Sequence, residues 1–282
     1  MAISILNNIP ALAAQNQLSL TQASLQTTLF RLSSGSRINS GADDAAGLAI
    51  ANGLQANVTA LNQSSQNAND GMGQLQVVDG ALSQVTNLLN RAVTLATEAS
   101  NGTVTTTQQT ALDNEFTKIK TEIDNIGANT NFNGSSVFSA STTSIFLSDS
   151  SSNYTIGVAV GALSSSNIQG GSTSGLTAVN LSSDSLTSIT NATAALTAIN
   201  NAITNVASKR GEVGATINQL QSASNVISTQ VQNLTSAEDN ITAADIPSVV
   251  GNLSRLNILN TTGISALAQA NASQQSVLRL LQ

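Results

Sequence analysis

Asp43 and Asp44 are adjacent carboxylates, and such a pair can bind a divalent cation or cap the N-terminus of a helix. A cation site needs further ligands, but the sequence has no His and no Cys, and no other ligand cluster accompanies the pair. The pair follows the chain break Asn39-Ser40-Gly41, and Ser40 and Asp43 have the spacing of a capping box. The pattern favours helix capping and predicts neither a metal nor a cofactor.

Catalytic chemistry has few residue types to use in this protein. The absence of His removes the commonest general base, and the absence of Cys removes thiolate nucleophiles and disulfides. No phosphate loop of the Gly-x-x-x-x-Gly-Lys type occurs, and no nucleophile has a base partner. We interpret Gly211 and Gly214, which lie within a helical pattern, as a site of close helix packing. The sequence therefore predicts a protein that is not an enzyme.

The charge balance points to a scaffold. Nine Lys and Arg residues against fifteen Asp and Glu residues give a net charge of −6, and only 9% of the residues are charged. This balance argues against nucleic-acid binding, which requires cations that neutralise phosphates. Ser, Thr, Asn and Gln supply the polarity instead, and such side chains can be buried between protein copies when each finds a hydrogen-bond partner.

The elements that carry these residues are mostly helices, because apolar residues recur every three or four positions over long stretches. In residues 189–241 the stripe consists of Ala192, Leu196, Ile199, Ile203, Val206, Val213, Ile217, Leu220, Ile227, Val231 and Leu234. In the first half it consists of Leu54, Leu61, Ala68, Leu75, Leu82, Leu89 and Ala96, with Val78, Val85, Ala92 and Ala99 beside them. A third stripe runs through Leu112, Phe116, Ile119, Ile123 and Ile126. These seams predict a mainly α fold, an elongated antiparallel coiled-coil or helical bundle.

The middle of the sequence has a different pattern. Alternating apolar residues at 145–147 and 154–160 predict a small β-hairpin, and the Ser/Gly-rich residues 164–174 predict an exposed loop. Asn101-Gly102 predicts a left-handed cap at the end of the first long helix, and Gly127 predicts the end of the short third helix.

Both ends of the sequence are amphipathic and nearly uncharged. Residues 1–30 contain no charged side chain, and Arg255 and Arg279 are the only charges after Pro247. The N-terminal stretch lacks the basic region of a secretory signal, and no apolar run is long enough to cross a membrane. An uncharged helix is poorly suited to an outer surface, so the ends are expected to pair with each other and with neighbouring copies.

Several motifs make the sequence resemble bacterial flagellin. At the N-terminal side they are Arg31-Leu32-Ser33-Ser34-Gly35, Arg37-Ile38-Asn39-Ser40, Asp43-Asp44-Ala45-Ala46-Gly47-Leu48-Ala49-Ile50-Ala51-Asn52, Asn67-Ala68-Asn69-Asp70-Gly71, Asn101-Gly102-Thr103 and Phe132-Asn133-Gly134. At the C-terminal side they are Val213-Gly214-Ala215, Asn233-Leu234, Ile258-Leu259, Leu267-Ala268-Gln269-Ala270-Asn271 and Val277-Leu278-Arg279-Leu280-Leu281. The resemblance covers both halves of the sequence and not its middle.

The resemblance implies a secreted, extracellular subunit of the flagellar filament that self-assembles for swimming motility after type III export. It implies inner-tube helices at 1–32 and 248–282, linkers at 33–47 and 242–247, rod-domain halves at 48–138 and 187–241, and an exposed variable tip with the hairpin at 139–186. Its partners would be itself, an export chaperone at the C-terminal helix, and hook-associated and cap proteins, without nucleic acid or membrane.

The candidate self-assembly residues are Leu12, Leu25, Leu29, Leu32, Leu253, Leu256, Leu259, Leu267 and Leu281. Because the two ends cannot bury their stripes alone, we expect them to become ordered when neighbouring subunits cover them. The resemblance further implies recognition of the monomer by Toll-like receptor five through Arg91, Leu95 and Glu115, although Arg91 and Leu95 could equally serve packing in the filament.

Two other interpretations remain open at this point. A hook–filament junction protein shares both matched ends, but the complete Asp-Asp-Ala-Ala-Gly stretch and the Leu-Ala-Gln-Ala-Asn ending favour the filament subunit. A coiled-coil adhesin or an export-apparatus translocator would explain the long seams but not the two ends.

Overall fold

The computed structural model describes residues 8–139, 142–148, 154–171 and 176–280, without the side chains of Val158 and residues 277–280. These residues form the helices α1 (Ile9–Ser34), α2 (Ala45–Ala99), α3 (Thr106–Asn129), α4 (Ile189–Thr242) and α5 (Ile246–Leu280). Three antiparallel strand pairs lie between α3 and α4: β1 (Asn131–Phe132) with β2 (Ser135–Ser136), β3 (Thr143–Phe146) with β4 (Thr155–Val158), and β5 (Leu163–Ser164) with β6 (Asn167–Ile168). The predicted mainly α fold with a hairpin region is therefore confirmed.

The protein divides into two compact units. The terminal unit consists of two separate segments, Met1–Ala56 and Asn233–Gln282, and the central unit is the continuous segment Asn57–Gln232. The predicted domain boundaries concern roles within an assembly and stay predictions. The bounds of α2 and α4 lie within a few residues of the ends predicted for the two long helices.

The core of the central unit is built from the predicted seams. The α2 seam is buried from Leu61 through Leu75, Leu82 and Leu89 to Ala99, and α3 adds Phe116, Ile119 and Ile123. In α4 the core positions are Ala192, Ala195, Ile199, Ala202, Val206, Val213, Leu220 and Ile227. The predicted Leu196 and Ile203 are only partly buried, because the alanines beside them occupy the centre of the seam in the first half of α4.

Polar contacts fix α2 and α4 in antiparallel register within the central unit. Arg210 donates to both carboxylate oxygens of Asp79, over 2.7 and 3.3 Å. The Ser65 and Ser224 hydroxyls lie 3.5 Å apart. The arginine that interrupts the α4 stripe thus forms an interhelical ion pair at the edge of the seam.

The predicted β-hairpin is confirmed, with Ile145 opposite Ile156. The expectation of an exposed loop over 164–174 is wrong for its described part, because β5 and β6 form another hairpin, in which Ile168 is fully buried. The buried amide of Asn205 donates to the carbonyl oxygens of Ile168 and Thr177, each over 2.9 Å. A helix residue distant in sequence therefore anchors a segment whose composition is that of a loop.

Three expectations about glycines are wrong. Gly102 does not adopt a left-handed conformation; the left-handed cap is at Gly35, with φ of 69°, at the end of α1. Helix α3 continues past Gly127 to Asn129, and a Cβ atom at Gly127 would clash with the Leu163 carbonyl, so this glycine permits a close approach and does not end the helix. Gly211 and Gly214 face open space, so they are not a site of close helix packing.

Candidate self-assembly surface

Helices α1 and α5 form an antiparallel pair in the terminal unit. The Asn8 side-chain amide donates to the Ala270 carbonyl over 3.3 Å, and Leu18 lies against Gly263, which leaves room for it. Asn8 also accepts from the Ala11 amide over 3.0 Å and so caps α1. Asn8 therefore both caps the start of α1 and binds this end of α1 to the C-terminal part of α5.

The facing sides of the pair follow strict three- and four-residue steps, as in a coiled-coil seam. On α1 the seam positions, all buried or partly buried, are Ala11, Ala14, Leu18, Thr21, Leu25, Thr28 and Leu32. On α5 the partly buried positions are Val249, Leu253, Leu256, Asn260, Gly263, Leu267, Ala270 and Gln274. Five of the candidate self-assembly residues lie on this seam, where they pack within the subunit: Leu25, Leu32, Leu253, Leu256 and Leu267.

Three other candidates lie on outward faces. Leu12, Leu29 and Leu259 are 59%, 46% and 47% exposed. Leu281 lies outside the described residues. Further exposed apolar side chains on the same two helices escape the sequence prediction, namely Ile9, Leu20, Phe30, Ile246, Val250, Ile258 and Ile264. For α1, the seven-residue repeat Ala11, Leu18, Leu25 and Leu32 is the sequence signal that could have found these residues. It places all the remaining large apolar residues of this helix on other faces.

The seam contains a polar layer. The Asn260 side-chain oxygen is buried and, among the described residues, has no hydrogen-bond partner. The register that places Gly263 at Leu18 brings Asn260 level with Thr21, whose buried hydroxyl donates to its own helix at the Gln17 carbonyl over 2.8 Å. The layer is therefore imperfectly satisfied within one subunit, and such a group lowers the stability of the pair.

The two linkers of the terminal unit are joined through their backbones. Ser36 and Ala243 form an antiparallel bridge, the Arg37 amide donates to the Thr242 carbonyl over 2.7 Å, and the Ala244 amide donates to the Gly35 carbonyl over 3.0 Å. These contacts place the C-terminal end of α1 beside the N-terminal end of α5, as an antiparallel pair requires.

The adjacent carboxylates of this linker have separate structural roles. Asp44 accepts from the Gly47 amide over 2.9 Å at the start of α2, which confirms the capping prediction for this residue. Asp43 instead accepts from Ser40 and forms an ion pair with Arg31 over 3.0 Å, and the Arg31 hydrogen bond lowers the pKa of the Asp43 carboxyl. Within the described residues no cluster of acidic side chains could hold a metal ion.

The candidate receptor site lies in the central unit, where α2 and α3 are neighbours. Arg91 donates to Glu115 over 2.7 Å, and both side chains are well exposed. This bond raises the pKa of the Arg91 guanidinium and lowers the pKa of the Glu115 carboxyl. Leu95 is only 1% exposed and belongs to the core, so it is not available at the surface as a contact residue.

Two family models match the sequence: the bacterial flagellin N-terminal helical region at residues 5–143 and the bacterial flagellin C-terminal helical region at residues 196–281. None of the described helices carries an apolar stretch of the length and hydropathy needed to cross a bilayer. Both matched regions therefore coincide with the paired helices of the two units and leave most of the strand region between them.

Individual relatives agree with these models. A flagellin of Halalkalibacterium halodurans is 35% identical over 98% of both proteins, and a flagellin of Bacillus subtilis is 32% identical over 98% of both proteins. Flagellin 1 of Proteus mirabilis is 45% identical over 49% of this chain, and the match spans only 38% of that longer protein. The crystal structure of Bacillus cereus flagellin is 31% identical and covers 61% of this chain and 94% of its own, with a TM-score of 0.47. Because two relatives match from end to end, this chain belongs to the bacterial flagellin family.

Proposed function

We propose that this protein is the structural subunit of a bacterial flagellar filament and that the outward faces of α1 and α5 are its self-assembly surface. The observation that carries the proposal is the row of exposed apolar side chains on a helix pair whose N-terminal member has no charge before Arg31. Large exposed apolar patches on soluble proteins mark sites of interaction. The protein has no catalytic role in this function.

Filament growth follows from the geometry of such a surface. Subunits related by one screw operation make heterologous contacts that do not close, so they extend into a fibre. Complete burial of one Leu, Ile or Phe side chain contributes about 1.5–3 kcal/mol, and each helix offers several. The faces of α1 and α5 that their own seam leaves uncovered would supply this energy.

Order in the terminal helices is part of the proposed mechanism. The seam within one subunit is narrow and contains the Asn260 oxygen, which has no hydrogen-bond partner in the described part of the chain, so the seam stabilises the pair weakly. Neighbouring subunits would bury the outward faces and complete the ordering. Before assembly, an export chaperone would cover the C-terminal helix, and the secreted subunit would later meet cap and hook-associated proteins.

The hook–filament junction protein is the alternative that the similarities disfavour. Flagellins from two organisms match this protein over 98% of its length, including the middle. A junction protein would share the ends, and purified junction protein would not form long fibres unaided. The two functions are therefore separated by electron microscopy of the concentrated protein.

The decisive experiment deletes residues 248–282 and measures sedimentation of the concentrated protein. We expect a soluble and still helical monomer, because the central unit keeps its own buried core. The full-length protein, pelleting as fibres under the same conditions, is the control. Fibres formed by the truncated protein would refute the assignment of the self-assembly surface to α1 and α5.

Recognition by Toll-like receptor five is a second proposed interaction, for the monomer, through the exposed Arg91–Glu115 pair. Leu95 would act only by supporting α2 from the core. Arg91→Ala should reduce receptor signalling, whereas Lys118→Ala, which removes an exposed charge from α3, should not. Unchanged signalling by the Arg91 variant would exclude this pair as the recognised site.

A further inference from the structure

The sequence contains three Asn-Gly pairs, and the structure places each in a different backbone environment. Asn52-Gly53 lies inside α2, Asn133-Gly134 forms the two-residue turn between β1 and β2, and Asn101-Gly102 lies in the turn between α2 and α3. Asn is among the thermally labile residues, because its side-chain amide can react with its own backbone. The reactivity of the same dipeptide can therefore be compared in three backbone environments of one protein.

We propose that Asn101-Gly102 is a site of spontaneous deamidation, at which the folded protein reacts selectively with water. The Gly102 backbone nitrogen forms a bond to the amide carbon of the Asn101 side chain, and the bond from that carbon to the amide nitrogen breaks to release ammonia. The resulting succinimide takes up one water molecule at either carbonyl and yields aspartyl or isoaspartyl residue 101. Hydrolysis of one amide thus balances without any oxidant or cofactor.

The contacts around Asn101 favour this reaction. The Asn101 side-chain oxygen accepts a hydrogen bond from the Thr103 amide over 3.2 Å. That donor would stabilise the negative charge that develops on the oxygen during attack, as backbone amides do in oxyanion holes. Among the described residues the Gly102 amide has no acceptor, so the nucleophile is not occupied. Asn101, Gly102 and Thr103 are all exposed, which admits water.

The other two pairs are held away from reaction. The Gly53 amide is part of the α2 hydrogen-bond ladder, so attack requires local opening of a long helix. Asn133 has a φ of 50° and Gly134 one of 77°, a tight turn between the paired residues Phe132 and Ser135. Rotation about the Asn133 backbone would break this pairing. The same dipeptide therefore has three different reactivities in one fold.

The product would change the protein locally. A new carboxylate at position 101 lies just beyond the C-terminus of α2, where the helix dipole disfavours negative charge. Modified molecules would also separate from unmodified ones by ion exchange, because the net charge of −6 becomes more negative by one unit. The reaction would thus mark the age of a free subunit.

The test incubates the full-length monomer in mildly alkaline buffer and follows all three pairs by peptide mass spectrometry. We expect deamidation at Asn101 to be at least about tenfold faster than at Asn52, which corresponds to about 1.4 kcal/mol in activation free energy. In concentrated urea the three rates should converge, because only the fold distinguishes the sites. Faster deamidation at Asn52 or Asn133 than at Asn101 in the folded protein would overturn the proposal. Rates that differ among the three sites as much in urea as in the folded protein would overturn it too.

A variant tests the role of the nucleophile without disturbing the fold. A Cβ atom at position 102 would meet no atom within 4 Å, and Gly102 has no left-handed conformation to lose. Gly102→Ala should therefore fold normally and react several-fold more slowly at Asn101, because the added methyl group hinders ring closure. An equal rate in this variant would show that the Gly102 nitrogen is not the attacking atom.

Discussion

The central unit and the terminal unit carry the same three- and four-residue spacing of apolar side chains but cover them differently. In the central unit the α2 seam is buried from Leu61 to Ala99, and side chains from α3 and α4 fill the core. Among the described residues of the terminal unit, α1 and α5 pack on each other, and large side chains outside their seam are exposed. Helical spacing therefore predicts which residues form a seam, whereas the number of helices packed around an element decides how many of its other apolar side chains are buried.

Both units bury polar side chains. In the central unit the Lys209 ammonium is buried and donates to the Ala159 carbonyl and to Glu212, while the buried Asn205 donates to two backbone carbonyls. In the terminal unit the buried Asn260 oxygen has no partner among the described residues. Among the described residues the central unit also has buried atoms without a partner, the Ser148 hydroxyl and one carboxylate oxygen of Asp184, so the two units differ in where such atoms lie and not in whether they occur.

The largest expected effect contrasts two phenylalanines. Phe116→Ala should destabilise the central unit by about 3–5 kcal/mol, because its ring is fully buried in the core. Phe30→Ala, on the exposed face of α1, should change monomer stability by no more than about 0.5 kcal/mol. Urea denaturation of the monomer measures both variants, and similar losses in the two would break the comparison.

In the terminal unit, removal of an exposed apolar side chain should weaken assembly although it hardly changes monomer stability. Leu20→Ala removes a side chain that is 64% exposed in the isolated subunit and that neighbouring subunits would bury. We expect the variant to lose about 1.4 kcal/mol of the free energy of subunit association, which raises the critical concentration for polymerisation about tenfold. Gln22→Ala, at an exposed polar position of the same helix, is the matched control. A critical concentration that Leu20→Ala leaves unchanged would remove this face of α1 from the assembly surface.

The fold is predictable from sequence wherever one partner helix dictates burial. Leu61, Leu75 and Leu89 follow a seven-residue period that needs no knowledge of the partner beyond its existence. The burial of Leu95, the residue proposed as a receptor contact, is not predicted by this period; it arises because α3 covers the last turns of α2, where Gln109 donates to the Ala99 carbonyl over 3.2 Å. A position beside the seam therefore becomes a core position, and only the placement of a third helix reveals this.

The candidate site is less predictable, for a physical reason. Helix α1 has apolar side chains all around, so its heptad Ala11, Leu18, Leu25 and Leu32 separates Leu25 from Leu29, but the sequence does not tell which of the two faces meets α5. The register between α1 and α5 depends on long-range contacts such as Leu18 against Gly263 and the backbone bridge that joins the two linkers. Likewise, side chains distant in sequence, Asp124 of α3 and Asn205 of α4, distinguish the β5–β6 hairpin from a Ser/Gly-rich loop.

A smaller effect should follow from completing the seam of the terminal unit. Asn260→Leu replaces an unpartnered buried oxygen by an apolar group and should stabilise the α1–α5 pair by about 1 kcal/mol. Slower hydrogen exchange of α1 and α5 amides in the dilute monomer would report this gain. Asn257→Leu, at an exposed position of α5, should leave exchange unchanged. Equal slowing in both variants would mean that general hydrophobicity, not the seam, limits order.

The smallest expected effect concerns pH in the central unit, where the pKa values of two carboxyls shift in opposite directions. Arg91 holds the pKa of Glu115 below its ordinary 4.5, so folding favours the charged form. Its contribution to stability is present above that value and is lost as pH falls through the lowered pKa. Burial raises the pKa of Asp184 above its ordinary 3.8, although Lys120 opposes the shift, so folding favours the protonated form.

The Asp184 contribution has the opposite sign, because the folded state binds this proton more tightly than the unfolded state. It is fully present below 3.8 and is lost as pH rises through the raised pKa. Glu115→Gln should therefore reduce the acid-induced fall in Tm, and Asp184→Asn should steepen it, with both shifts small because the Arg91–Glu115 pair is exposed and Asp184 is only partly buried. Thermal melts of the monomer across the acidic range measure both slopes. If the two variants changed the slope in the same direction, one of the two carboxyls would have a different environment from the one that its contacts indicate.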